Sequence, residues 1–186
     1  IPIFIGIVVL AFSFFLNSKL SWLTELDFIM LSLYLRGFGM GIIFTALSTI
    51  SLLEISREKM AQASAITNTI RQLGGSLGVA LLATLLTTRI SFHSQVYGGA
   101  MKQGSEVYQK TMNNLKFHLQ YEAGSSPSNV NRQGQALLLS NLSRQAYVEG
   151  INDDFLLAGI ITLIGGIPIF FLHTKNRKDR FPQQLR

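Results

Sequence analysis

The sequence predicts an all-α integral membrane protein with four transmembrane helices and an external helical hairpin between the third and the fourth. Three observations support this fold class. Several long runs are free or almost free of charge, and each approaches the roughly 20 residues that cross the hydrocarbon core of a bilayer. A long polar segment separates the last two runs, and a basic tail follows the last one. The runs are residues 1–16, 28–53, 72–88 and 155–172.

The order of these runs divides the chain into membrane and external parts. The chain begins with Ile1 and Pro2 and has no basic flank, so we expect the first run to be a membrane helix entered partway and not a signal peptide. We therefore expect a C-terminal fragment of a longer protein. The expected parts are membrane helices in 1–88 (spans about 1–16, 28–53 and 63–88), an external helical loop in 89–152, a last membrane helix in 153–173 and a basic tail in 174–186.

Charge and composition exclude several classes of partner and site. The formal net charge is +6, but the basic residues form no stripe on a soluble helix, so no nucleic-acid partner is expected. Cysteine is absent, which excludes disulfides and thiolate metal ligands. Basic flanks favour the cytoplasmic side of a membrane. The C-terminus is therefore predicted to be cytoplasmic, because the tail carries Lys175, Arg177, Lys178, Arg180 and Arg186.

The second span carries a stripe of small residues and one charge. Gly37, Gly41 and Thr45 recur every four residues, which predicts a groove that lets another helix approach closely. Arg36 points away from this groove, roughly alongside Ser32 and Gly39. Such a charge is either a structural anchor or a gating charge.

The third span has two different faces. At about 100° per residue, one face is small and polar, and the opposite face carries the large aliphatic side chains. Asn68, Arg71 and Gln72 lie on the polar face and are candidates for a substrate path. A guanidinium at this depth either serves function or bridges helices structurally, and both readings stay open. The polar face comprises Ala61, Ser64, Ala65, Asn68, Arg71, Gln72, Gly75 and Val79.

The fourth span begins after two acidic residues. Asp153 and Asp154 are expected at the outer end of the helix, where an N-cap and the helix dipole explain them. Glycines inside this span and the two preceding ones are expected to allow close helix packing. These positions are Gly37, Gly41, Gly75, Gly78, Gly159 and Gly166.

The external segment shows helical spacing on both sides of a turn. Tyr108, Met112 and Leu115 repeat at helical intervals, and the sequence GSSPSN at 124–129 predicts the turn of a hairpin. His93 and His118 lie in or beside this segment without a second ligand at metal-binding spacing, so no metal site is expected. No nucleophile with a base and no phosphate-binding loop is found, so no catalytic residue and no enzyme activity are expected.

Two stretches resemble a known family. The sequence RGFGMGIIFTALSTISLL in 36–53, followed by REKMAQASAITNTIRQLGGSLGVAL in 57–81, is similar to the last helices of drug:proton antiporters of the major facilitator superfamily, in the branch with fourteen helices. The resemblance implies the C-terminal part of a bacterial multidrug exporter of the cytoplasmic (inner) membrane. It also implies amphiphilic small-molecule substrates, no cofactor besides the proton gradient, proton-carrying acids on helices upstream, and a periplasmic adaptor as a partner for 89–152.

Two other readings of the sequence remain. The first is a membrane scaffold or permease subunit that moves no solute and recruits a partner through its external hairpin. The second is a soluble helical domain, which would need the run 155–172 to be buried all round in a small chain.

Overall fold

The computed structural model describes residues 2–52, 55–102, 104–122 and 126–170. Within these residues the chain is helical and contains no strand, which confirms the predicted all-α class. A 3-10 turn at Arg57–Lys59 precedes the third helix, and a π-helical turn at His118–Glu122 follows the fourth. The α-helices are α1 (Pro2–Asn17), α2 (Leu26–Leu52), α3 (Met60–Ala100), α4 (Glu106–Phe117) and α5 (Pro127–Phe170).

Three segments of the described chain are long and apolar enough to cross a membrane, namely Leu26–Leu52, Arg57–Ala100 and Asn129–Ile169. α1 is apolar but has 16 residues. That is about 24 Å of helix, which is less than the about 30 Å of a hydrocarbon core. The four expected spans therefore correspond to three helices of full length and one shorter apolar helix, in a multi-pass membrane protein.

The surface of these helices is apolar. Large side chains such as Ile70 and Leu77 are 64% and 71% exposed. In a soluble domain such side chains would contact water along the whole helix, whereas in a bilayer they contact lipid. The exposed apolar surface therefore argues against the soluble helical domain.

Helix α1 lies at the centre of the bundle. It packs against α2 on one side and against α5 on the other, and α5 also packs against α3. Its buried residues include Ile3, Ile7, Leu10 and Ala11. Helices α2 and α3 touch each other only lightly. The lateral order of the long helices is therefore α2, α1, α5 and α3.

A close helix contact joins α1 and α2. A Cβ placed on Gly39 would lie 3.0 Å from the carbonyl oxygen of Gly6 and 3.0 Å from the amide nitrogen of Leu10. Nearby, the hydroxyl of Ser13 donates a 2.8 Å hydrogen bond to the carbonyl of Ser32. Because dispersion contacts and interhelical hydrogen bonds drive helix association in lipid, this crossing stabilises the pair.

The glycines expected to pack differ in what surrounds them. Gly159 lies against Phe14, and a Cβ on Gly166 would lie 3.1 Å from Ile7 Cδ1, so both face α1. A Cβ on any of the other four would meet no atom of the described residues within 4 Å, once each glycine's own neighbours are left out. These four, which face away from the described helices, are Gly37, Gly41, Gly75 and Gly78.

Helices α3 and α5 extend well beyond one bilayer thickness. They have 41 and 44 residues, or about 60 Å or more each, roughly twice the hydrocarbon core. The boundaries expected at 88–89 and 152–153 do not coincide with helix ends. α3 continues to Gly98 and Gly99, and Gly104 follows in the left-handed region with a φ of 97°.

This continuity corrects the expectation for the two acidic residues. Asp153 and Asp154 are not at an N-cap, because α5 begins at Pro127 and runs through both of them. Asparagine and aspartate favour an N-cap, but here the helix passes through these positions without a break.

The arms of the expected hairpin pack on each other, although its turn is only partly described. The sulfur of Met112 on α4 lies 2.9 Å from the position of a Cβ on Gly134 of α5. Residues 124 and 125 of the expected turn, and the basic tail 174–186 with its predicted cytoplasmic location, lie outside the described residues.

The loop between α1 and α2 is held against α5 by one amide. The side chain of Asn152 accepts a 3.0 Å hydrogen bond from the Leu20 amide and donates a 2.8 Å bond to the Leu20 carbonyl. The guanidinium of Arg144 lies 5.6 Å from the Trp22 ring centroid. Both contacts fix the end of α1 beside the middle of α5.

Replacing Gly39 with alanine should destabilise the protein. Its Cβ would meet backbone atoms at 3.0 Å, and backbone cannot move aside cheaply, so we expect a loss of about 1–3 kcal/mol. The matched control is Gly37→Ala on the same helix, where the space is open. That variant should be neutral or up to about 1 kcal/mol more stable. The measurement is the thermal unfolding midpoint of each purified variant. Equal midpoints for Gly39→Ala and Gly37→Ala would contradict the prediction.

Candidate functional site between α2 and α3

A pocket lies between α2 and α3 near the turn that joins them. Its volume is about 180 Å³. Helix α2 contributes apolar and polar side chains, and helix α3 contributes polar side chains. The pocket is open on one side, because α2 and α3 contact each other only lightly. Its lining comprises Phe44, Ser48, Leu52, Ser64, Thr67, Asn68 and Arg71.

Arg71 provides the charge in this pocket and makes three contacts. Its Nη2 donates to the hydroxyl of Ser48 at 3.3 Å, and its Nη1 donates to Oδ1 of Asn68 at 3.4 Å. The guanidinium carbon lies 4.2 Å from the ring centroid of Phe44, well within cation–π distance. The two hydrogen bonds are long, so they orient the guanidinium without holding it tightly.

The local sequence explains how these groups meet. Asn68 and Arg71 are three residues apart on α3, and Phe44 and Ser48 are four apart on α2, so each pair shares one helix face. The hydroxyl hydrogen of Thr67 is already used within α3, because it is donated to the carbonyl of Ala63 at 2.8 Å. The pocket thus combines one guanidinium, one amide and two serine hydroxyls with apolar walls.

The structure brings together two of the three substrate-path candidates. Asn68 and Arg71 line the pocket, whereas Gln72 is exposed and does not line it. Phe44 was not predicted as a site residue, because its only signal in the sequence is the four-residue spacing from Ser48. The polar face of α3 also stays uncovered over most of its length within the described residues.

Arg36 has a different environment. Its guanidinium carbon lies 5.0 Å from the ring centroid of Phe14 on α1 and 4.8 Å from that of Phe155 on α5. Its Nε and Nη2 are buried and have no hydrogen-bond partner among the described residues. Arg36 therefore joins three helices through aromatic rings, while a gating role for it stays a prediction.

Ionisable groups elsewhere in the described residues form no group of three or more His, Cys, Asp or Glu that could hold a metal ion. The long apolar helices and the polar pocket between two of them define the chain as part of a multi-pass membrane protein with a guanidinium-containing site.

Comparison with known proteins finds relatives of the chain among membrane transporters and drug-resistance proteins. No family model matches the chain, and no solved structure matches it. The chain is 26% identical over 182 residues to an uncharacterized MFS-type transporter, YhcA, of Bacillus subtilis. This match covers 98% of the chain and 34% of the relative. It is 25% identical over 170 residues to the colistin resistance protein EmrB of Acinetobacter baumannii, covering 91% of the chain and 32% of the relative.

A third relative is the fatty acid resistance protein FarB of Neisseria gonorrhoeae, 30% identical over 139 residues, or 74% of the chain and 25% of the relative. The chain spans about a third of the length of the first two relatives. These matches confirm the resemblance: the chain is homologous to major facilitator transporters, including multidrug exporters, and corresponds to the C-terminal region of these longer proteins.

Proposed function

We propose that the chain is the C-terminal part of a proton-coupled multidrug efflux transporter that exports amphiphilic compounds across the bacterial cytoplasmic membrane. The observation that carries this proposal is the pocket in which Arg71 contacts Ser48, Asn68 and Phe44 between two membrane helices. Homology to multidrug exporters supports the same assignment.

The chemistry of the pocket suits an amphiphilic ligand. Phe44 and Leu52 offer apolar contact area, and the serine hydroxyls and the Asn68 amide offer hydrogen bonds. The pocket has a volume of about 180 Å³. Sites for drug-sized ligands are larger, at about 300–1,000 Å³. We therefore propose that it is one wall of a substrate path, completed by helices of the rest of the transporter.

Arg71 suits a gating role in this path. Its bond to Ser48 is a side-chain hydrogen bond between α2 and α3 close to their connecting turn. Alternating access moves helix bundles against each other around a central site. Because the two hydrogen bonds of Arg71 are long, this link can break and form again at low cost.

The energy source proposed for export is the proton gradient, without any other cofactor. None of the residues that line the pocket is an Asp or Glu, so proton-carrying acids are expected on other helices of the transporter. We also propose that the C-terminus is cytoplasmic, and that the C-terminal half of α3 and the N-terminal half of α5 lie on the outer side of the membrane.

A periplasmic adaptor is the proposed partner of the external segment 89–152. The projecting halves of α3 and α5, together with α4, form a helical extension beyond one bilayer thickness. This extension exposes aromatic side chains, including Phe117 and Tyr121, whose rings pack 4.8 Å apart. Aromatic residues are enriched in protein interfaces.

Replacing Arg71 with alanine in the full-length transporter should lower drug resistance, because the pocket loses its charge and its link between α2 and α3. We expect a loss of about tenfold or more in efflux rate, corresponding to about 1.4 kcal/mol. Thr69→Ala is the matched control, since Thr69 is outside the pocket and its hydroxyl donates to the carbonyl of Ala65. Gln72→Ala should cost less than Arg71→Ala. Normal resistance at normal expression of Arg71→Ala would refute the role of this pocket.

Dye efflux should stop when the proton gradient is collapsed by a protonophore. Transport needs the gradient in the proposed mechanism, whereas a scaffold or permease subunit moves no solute and would show no gradient-dependent efflux. The measurement is dye retention in cells that express the full-length protein, with and without the protonophore. Efflux that persists unchanged without the gradient would exclude proton coupling, and no efflux at all would favour the scaffold.

Replacing residues 104–122 with a Gly/Ser linker of equal length should abolish resistance in cells while leaving dye binding to the purified transporter intact. The linker removes α4 but keeps the connection between α3 and α5. Site-specific cross-linking from Tyr121 should capture the adaptor in the unaltered protein. Unchanged resistance of the linker variant would contradict adaptor docking through this segment.

A further inference from the structure

Ser48 and Asn68 both turn an oxygen atom toward Arg71. A guanidinium has N–H donors and no acceptor. Nη2 donates to Oγ of Ser48 at 3.3 Å, and Nη1 donates to Oδ1 of Asn68 at 3.4 Å. The orientation of the Asn68 amide is thereby fixed, because its oxygen and not its nitrogen must face a group that only donates. The two contacts thus engage acceptor atoms of the pocket.

The same contacts leave hydrogen-bond donors for a ligand. The amide nitrogen of Asn68 carries two hydrogens, and Ser48 keeps its hydroxyl hydrogen. Within the described part of the chain, neither group donates a hydrogen bond, and the other N–H groups of Arg71 are not used. The hydroxyl hydrogen of Thr67 already goes to Ala63, so Thr67 adds no donor. The guanidinium, the amide and the Ser48 hydroxyl therefore offer donors to one ligand.

The charge of the pocket is positive. None of its lining residues is an Asp or Glu, and Arg71 forms no salt bridge with any described residue. The turn at 54–59 carries two acidic and two basic residues, so it adds no net charge. Arg71 lies about 16 Å along α3 from Met60, its first residue. Within an apolar span, water and salt screen this charge less than at a protein surface.

The aromatic wall does not favour a cationic ligand. Aromatic faces attract cations, but the guanidinium carbon of Arg71 already lies 4.2 Å from the ring centroid of Phe44. A cationic headgroup bound to this ring within the pocket would lie beside a like charge, which is unfavourable. An anionic headgroup would meet an opposite charge and several donors.

Building on the proposed efflux function, we propose that the pocket at Arg71 binds the anionic headgroup of an amphiphile, of the carboxylate or sulfonate type, and selects it over a cationic one. The planar guanidinium donates to two oxygens of such a headgroup. The Asn68 amide and the Ser48 hydroxyl donate to its remaining lone pairs. Phe44 and Leu52 contact the first part of the apolar chain. The rest of the chain extends beyond the pocket, which is smaller than a drug-sized site.

The test compares two probes of equal chain length on the purified full-length transporter. Dodecanesulfonate is anionic and dodecyltrimethylammonium is cationic, and neither changes charge near neutral pH. The transporter is held in phosphatidylcholine nanodiscs, and binding to empty nanodiscs is subtracted. The measured quantity is the ratio of the two dissociation constants, which does not depend on how much of the sample is folded. The unaltered protein should bind the sulfonate about tenfold more tightly, because its headgroup forms charge-assisted hydrogen bonds.

Three variants make the outcome specific. Arg71→Met should weaken sulfonate binding by about tenfold without weakening ammonium binding, because it removes the charge and its donors. Asn68→Asp should reverse the preference, since its carboxylate neutralises the guanidinium and attracts the ammonium. Arg57→Met is the matched control, because it removes a guanidinium that does not line the pocket. This control should keep the ratio of the unaltered protein.

The outcomes separate this inference from the proposed efflux function. A preference for the sulfonate that is lost in Arg71→Met and Asn68→Asp but kept in Arg57→Met would support the anion site. Equal affinities in the unaltered protein, an unchanged ratio in Arg71→Met, or a ratio lost equally in Arg57→Met would overturn it and leave gradient-driven dye efflux as it stands. If instead the preference followed Arg71 in a protein without gradient-dependent efflux, the efflux function would fail and the anion site would stand.

Discussion

The close approach of α1 to its neighbours is the contact on which the other helices depend. Gly6 and Gly39 let the backbones of α1 and α2 meet at about van der Waals distance, and Gly159 and Gly166 let α5 approach the opposite face of α1. Helix α3 then packs on α5 and not on α1. The pocket at Arg71 therefore lies between the two ends of this lateral series, α2 and α3, where the fewest contacts hold the helices together. A site between weakly coupled helices can change shape without breaking the packing of the core.

The two arginines in the apolar spans show how different surroundings use the same side chain. Arg36 lies between Phe14 and Phe155, with two buried nitrogens that lack partners among the described residues. Arg71 lies on one ring and has two hydrogen bonds at a pocket open to ligands. Aromatic faces attract a guanidinium without neutralising its charge. Arg36 therefore ties helices together, whereas Arg71 keeps a charge available beside polar groups.

Much of the fold and part of the site could be predicted from the sequence, for identifiable reasons. Charge-free runs predict membrane helices because a bilayer excludes charges, and three such segments have the required length. Helical periodicity placed Asn68 and Arg71 on one face, and they meet in the pocket. Periodicity could not show that Gly39 and not Gly37 meets another helix, because both positions lie on small-residue faces of α2. It also could not show that Asp153 lies inside α5, since that depends on a helix starting at Pro127.

The sequence by itself determined the helical membrane class, the polar face of α3 and the resemblance to drug exporters, because hydrophobicity and helical period are properties of neighbouring residues in the chain. Only the tertiary structure decided that α1 is central, that Phe44 and Ser48 of α2 meet Arg71, and that Asp153 pairs with His93 and Arg89 of α3. These contacts join residues on different helices. Their partners follow from which backbones approach closely, and no local pattern of residues encodes that choice.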